Sequence, residues 1–100
     1  MKSDIFYQYV DKITDLFRIT REDLFSKTKR RDIADARNLL YYLCKSRPMT
    51  LVYIQRYMSE NGYDIKHSSI IYGIKTVVSK VEDDDDYMRI VKEIEKSVFI

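Results

Sequence analysis

The feature that most restricts this chain is the interval at which its apolar residues return. Between residues 67 and 81, Ile70, Ile71, Ile74, Val77, Val78 and Val81 fall three or four apart. That interval lines one side of a helix, whereas a half-buried strand would alternate. The side chains are β-branched and favour a strand by propensity, but no alternation accompanies them, so the interval predicts a helix over 67–81. Ile5, Phe6, Tyr9, Val10, Ile13, Leu16 and Phe17 repeat the pattern and predict a helix over 4–17, capped by Ser3 or Asp4. Ile33, Ala36, Leu39, Leu40, Leu43 and Cys44 predict a third, capped by Asp32 and stopped by Pro48. Thr50 is placed to cap a shorter helix over 51–59, with Leu51, Ile54, Tyr57 and Met58 inward and Asn61-Gly62 as its stop. Tyr87, Ile90, Val91, Ile94 and Val98 make a last core-facing stripe. Two glycines and one proline in 100 residues supply too few turns for a β-sandwich. The expected fold is all-α: one compact domain over 1–100, of about five to six helices, with no repeat or boundary.

Between the first and third helices the sequence changes character. Thr20 opens a helical turn, with Asp23 three residues on to complete a capping box, and Leu24 and Phe25 tuck it onto the core. Ser26-Lys27-Thr28-Lys29-Arg30-Arg31 has no apolar residue and reads as an exposed basic loop. Charge is unevenly placed along the chain. Residues 82–100 hold seven acids, four of them the run Asp83 to Asp86, against three bases; from a net charge of +2, that leaves +6 on residues 1–81. A basic body with an acidic end suits a polyanion on one side only.

Several chemistries are disfavoured. Cys44 stands alone, so no internal disulfide forms, and a reducing compartment follows. Cys44 and His67 cannot supply the four ligands of a structural zinc site. No stretch is long and apolar enough to be a signal peptide or a membrane span, so a cytoplasmic location is expected. One histidine and one cysteine, with carboxylates at helix ends and on polar faces, make no catalytic constellation. No Gly-Lys-Ser/Thr phosphate loop is present. No enzyme activity, cofactor, metal or nucleotide is expected.

Two short helices, 51–59 and 67–81, flank a glycine-containing turn, the plan of a helix-turn-helix. The second helix opens with His67-Ser68-Ser69. Short or flat side chains let its backbone approach base edges, and their hydroxyl and imidazole groups can bond bases or phosphates. From Lys66 to Val81 there are three lysines, Lys66, Lys75 and Lys80, and no acid. The basic loop at 27–31 could add a separate contact, to phosphates or to a narrow minor groove.

In this order the motifs carry a resemblance. ITREDLFSKTKRRDIADARNLLYYL resembles the basic-loop and long-helix region of the C-terminal domain of the bacterial replication initiator DnaA. TLVYIQRYM resembles that domain's first helix-turn-helix helix. KHSSIIYGIKTV resembles its signature, usually Asp-His-Thr-Thr-Val followed by an apolar residue, His and a small residue. The resemblance runs from about Ile5 to about Val98. It implies the DnaA C-terminal, Trp-repressor-like fold and sequence-specific binding of double-stranded DNA in replication or its regulation, at the nucleoid, with replication proteins as further candidate partners. It also implies roles. His67, Ser68 and Ser69 would face the major groove, and Lys29, with Arg30 beside it, the minor groove. Arg37, Lys45, Thr50, Leu51 and Tyr72 would lie near the backbone. By charge, Lys27, Arg31, Lys66 and Lys75 join the candidate footprint. The signature's leading Asp is Lys66 here, its Thr pair is Ser68-Ser69, Ile65 replaces an Arg, and the inter-helix loop is about four residues longer. A preferred site different from the family's standard box is therefore expected, as is a stand-alone domain without the initiator's ATPase.

Simpler readings stand beside these. Ser68 and Ser69 could cap a helix, and the 27–31 run could be a solvated loop. The aspartates could complement a helix dipole or form a partner-binding or DNA-mimicking patch. Tyr41, Tyr42 and Tyr53 could stack on a partner. The alternative function is a protein–protein adaptor that holds a replication partner through its acidic C-terminal end.

Overall fold

The computed structural model describes residues 2–98, through which six helices run: α1 (Lys2–Phe17), α2 (Arg21–Leu24), α3 (Arg31–Ser46), α4 (Leu51–Glu60), α5 (His67–Asp83) and α6 (Asp85–Ser97). No strand occurs among the described residues. The expected all-α architecture and its helix over 67–81 are therefore present. Helix α3 is the centre of the packing: α5 and α1 cover it most extensively, with α2 and α4 against its remaining surface. Its Ile33, Ala36, Leu39, Leu40, Tyr41, Leu43 and Cys44 are all buried, a band too wide for a helix with one wet face. Tyr41 is therefore core, not a stacking platform. Cys44 is sealed in the same band, and burial pushes its thiol pKa up, away from reactivity. On the far side of the core, Phe6 packs its ring 5.2 Å from Tyr57 and 6.4 Å from Phe25.

Helix ends follow local chemistry, with two exceptions. Thr20 and Asp23 form the reciprocal capping box of α2, and Thr50 accepts from the Tyr53 amide to cap α4. Gly62 takes φ +85 after α4. Its amide donates to Ser59 O at 2.9 Å, and the Tyr63 amide reaches back to Met58 O at 3.0 Å, a Schellman closure that requires the left-handed residue glycine accepts. The first exception is α1, which begins at Lys2. Ser3 and Asp4 thus lie inside its first turn, where Asp4 can act on the dipole but cannot cap. The second is Asp32, which lies in the first turn of α3, because Arg30 occupies the N-cap position without a side-chain cap.

The apolar stripes are wider than the surfaces they bury. Ile71, Val78, Leu16 and Ile90, expected inward, are exposed. On α5 the contact line is Ile70–Gly73–Val77, all buried, and Ile71 and Val78 lie one residue, about 100°, off it. Gly73 permits the close approach: a Cβ there would sit 2.5 Å from Asn38 Oδ1 and 3.0 Å from Tyr41 Cδ2. Asp84 is the one-residue elbow between α5 and α6, and its carboxylate accepts from the Asp86 and Tyr87 amides. The aspartate run is thus explained by a helix junction: a cap, two acids in the first turn of α6, and an Asp86–Arg89 pair at 3.1 Å.

Candidate nucleic-acid interface

The turn before α5 is long but tightly held. Besides the Schellman closure, Ser59 Oγ donates to Asp64 Oδ1 at 3.0 Å, and Gln55 Nε2 of α4 donates to Ile65 O at 2.7 Å. The second bond fixes the Gln55 amide, since only its NH2 can donate to a carbonyl. Gln55 Oε1 then faces His67 Nε2 at 3.0 Å. An amide oxygen only accepts, so Nε2 carries a proton in this arrangement. His67 is half-buried at the start of α5, its ring orientation set by α4.

The rest of the opening turn is open. Lys66 is the N-cap of α5, and no side chain caps the helix. Ser68 and Ser69 are the second and third helical residues, so they are not caps. Both are exposed, and their hydroxyls bond to no other side chain or carbonyl among the described residues. Tyr72 is 72% exposed one turn further on, with exposed Lys75 beyond it. Ser68, Tyr72 and Lys75 share one stripe of α5 by their spacing. Lys80 leaves this group: its ammonium pairs with Asp35 of α3 at 3.3 Å and lies 5.8 Å over the Tyr87 ring.

A groove of about 350 Å³ runs between α3 and α5, lined by Ala34, Arg37, Tyr63, Ser68, Ser69 and Tyr72 among others. A second groove of about 390 Å³ is lined by Lys27, Lys29, Ala34, Arg37 and Tyr63 among others. The two share Ala34, Arg37 and Tyr63, so the basic loop and the first turn of α5 border adjoining grooves, with Asp64 also lining the second. Residues far apart in sequence are therefore brought together. Lys45 is not among them. It is exposed in the last turn of α3, fourteen residues and about 20 Å along the helix from Arg31. There it neighbours the α3–α4 turn and the N-terminus of α4, where Thr50 is exposed and Leu51 half-buried.

Two arginines are engaged by groups of the chain itself. Arg37 is only 6% exposed, and its guanidinium is taken up by backbone carbonyls of residues 24, 26 and 28. That takes three of its five N–H donors, so Arg37 holds the basic loop while also lining both grooves. Arg30 forms a forked pair with Asp32, at 3.2 and 2.8 Å. The hydrogen bond from Arg30 holds the Asp32 carboxyl below the usual carboxylate range, and the same bond pushes the Arg30 pKa up. Lys27, Lys29 and Arg31 are exposed and make no ion pair among the described residues. Asp32 therefore competes with any phosphate for Arg30. Asp32→Asn should tighten duplex binding several-fold at moderate salt. It should also steepen the log-affinity against log-salt slope by about 0.9, one more phosphate contact. An anisotropy titration over a salt series reads this, and an unchanged slope would mean Arg30 meets no phosphate.

Gln55, Tyr63 and Asn38 shape this surface and carry no sequence signal as site residues. Tyr42 and Tyr53 are half-buried. Tyr53 stacks on Tyr57 at 6.1 Å, with Lys2 and Arg56 at 5.2 and 5.3 Å from its centroid. No group of side chains among the described residues is placed to hold a metal ion, and no helix among them is long and apolar enough to cross a membrane.

Residues 8–77 match the family described as the bacterial DnaA protein helix-turn-helix. The chain is also 28% identical, over 99 residues, to the chromosomal replication initiator protein DnaA of Flavobacterium psychrophilum; the match covers 98% of this chain and 20% of that protein. It thus spans about a fifth of its relative's length. With α4 and α5 as the two helices of the motif and the matched span running from α1 into α5, this chain belongs to the bacterial DnaA helix-turn-helix family.

Proposed function

We propose that this chain binds double-stranded DNA sequence-specifically, with the first turn of α5 in the major groove and the 27–31 arm on an adjacent minor groove or phosphates. Its setting would be replication or its regulation, in the cytoplasm on the nucleoid. One observation carries the reading: Lys27 and Lys29 of the arm and Ser68, Ser69 and Tyr72 at the start of α5 line two adjoining grooves that share Ala34, Arg37 and Tyr63. A duplex laid along them meets Lys27, Lys29 and Arg31 at one end and Lys66, Ser68, Ser69, Tyr72 and Lys75 at the other. The uncapped amides at the start of α5 add donors for phosphate. Thr50 and Lys45, at the far end of α3, would touch the backbone on the other flank.

Specificity would come from the opening turn. With Nε2 given to Gln55, the other ring nitrogen of His67, Nδ1, would be the one to meet a base, and as an acceptor it would suit the amino group of cytosine or adenine. Lys66 stands where the family's signature has an acid. A lysine donates, so it favours guanine O6 or N7 at that position. Ser68 and Ser69 keep hydroxyls but lose the methyl groups that touch thymine.

The test is selection of bound sites from a random duplex pool, followed by competition. Wild type should prefer a site other than the family's standard box, with a salt slope of about −5 for ~6 phosphate contacts. Lys66→Asp should shift preference towards the standard box by roughly ten- to a hundred-fold, the worth of one base pair. Lys66→Ala should mainly weaken binding. If wild type already ranks the standard box first, or Lys66→Ala lowers affinity equally for every sequence, Lys66 reads no base.

A further inference from the structure

Arg37 is a buried cation with no carboxylate partner among the described residues. Its Nη1 donates to Leu24 O at 3.1 Å and Ser26 O at 2.9 Å, and its Nη2 to Thr28 O at 2.8 Å. The guanidinium carbon lies over the Tyr63 ring, 4.7 Å from its centroid. Burying a charge is costly unless its donors are satisfied. Here three carbonyls take three of its five donors, all from the end of α2 and the arm that follows. The arm's other hydrogen bonds are local, to Asp23, within itself, or at the start of α3. Arg37 alone ties it to a distant part of the chain among the described residues. Tyr63, beneath the guanidinium, belongs to the turn that leads into α5. One side chain thus touches both elements that border the grooves.

We propose that Arg37 is a positioning residue: it fixes the basic arm relative to the first turn of α5, so that both engage one duplex in a single register. This rests on the duplex-binding reading above. Arginine is required because its rigid fork reaches separate carbonyls while its plane stacks on a ring. A lysine keeps the charge but presents one point donor and no plane. Releasing the arm would make binding repay the ordering of its backbone.

The experiment is a double-mutant cycle on the full chain, with wild type's selected duplex and a random duplex as probes. One arm of the cycle is Arg37→Lys, and the other is Lys29→Ala with Arg30→Ala. Arg37→Lys should weaken the selected duplex on the order of tenfold and the random duplex little, because the arm keeps its charges. In the arm-neutralised background Arg37→Lys should be nearly silent. Thermal melting by circular dichroism accompanies each variant. If Arg37→Lys does not fold, Tyr63→Leu, which removes only the stacked ring, replaces it with the same expectation. Additive effects, or equal losses on both duplexes, would overturn the positioning role while leaving duplex binding intact. Failure of wild type to bind any duplex would overturn both.

Discussion

Removing the chain from Tyr87 onward should leave a domain that no longer holds together. Val91, Ile94 and Val98 are buried against the core, at 2%, 9% and 3% exposure. At ~1.5–3 kcal/mol each, they account for roughly 5–9 kcal/mol, against ~5–15 kcal/mol for a whole domain. The truncation also strips Arg47, at the C-terminal end of α3, of its bonds to the Glu95 and Val98 carbonyls. The expected result is loss of a cooperative thermal transition, or a melting temperature lower by about 20 °C or more. A truncated chain that melts where the full chain does would make α6 an appendage. Its acids would then be free for a protein partner, and the adaptor alternative would gain ground.

The second large effect belongs to Gly73. Helices α3 and α5 form the most extensive contact in the fold, and Gly73 lies at its closest point. Gly73→Leu inserts four carbons where even a Cβ meets Asn38 Oδ1 at 2.5 Å and Tyr41 Cδ2 at 3.0 Å. Tyr41 is buried and cannot swing away, so α5 must move off α3. Overpacking of this kind costs up to ~3 kcal/mol or more, which lowers the melting temperature of a domain this size by roughly 12–24 °C. Gly73→Ala is the milder control, because the half-buried Asn38 side chain can rotate and alanine regains ~1 kcal/mol of helix propensity. Because α5 carries the opening turn with it, a folded Gly73→Leu should also lose the selected duplex before the random one. Equal melting curves for wild type and Gly73→Leu would show that the interface is looser than its contacts imply.

The fold was legible because its signals are local. Apolar residues at three- and four-residue intervals, a Thr with an acid three residues on, and a glycine after Asn61 each act within a turn or two of chain. The errors began where one residue's fate depended on a distant one. Ile71 and Val78 fit the apolar interval, but the burial line on α5 is set by where Gly73 meets Asn38. Arg37 and Lys80 were indistinguishable by charge from the free cations of the arm. Loop carbonyls claimed Arg37, and Asp35, on another helix, claimed Lys80. Arg30 and Asp32 are two apart, a spacing that brings no side chains together inside a helix. They pair because Arg30 stands just outside one. At the candidate site the opening turn and the arm are candidates that the sequence itself offers. It could not indicate Gln55, whose amide sets the His67 ring, because that bond exists only once the six-residue turn has folded back.

The distribution of charge along α5 bears on how an encounter begins. The helix follows Lys66 and ends in acids, at Asp83, seventeen residues further on, about 25 Å. Its own backbone dipole points the same way, positive end first. A molecule polarised in this sense experiences a torque in the field of a polyanion. In the duplex-binding reading proposed above, it would turn its opening turn and arm towards the duplex and its acidic elbow away before any atom touches. The benefit falls on the association rate more than on the lifetime of the complex. At physiological ionic strength the field fades over about 8 Å, so this alignment acts only in the last molecular diameter of approach. Wrong-way collisions are repelled there by the same aspartates that join α5 to α6.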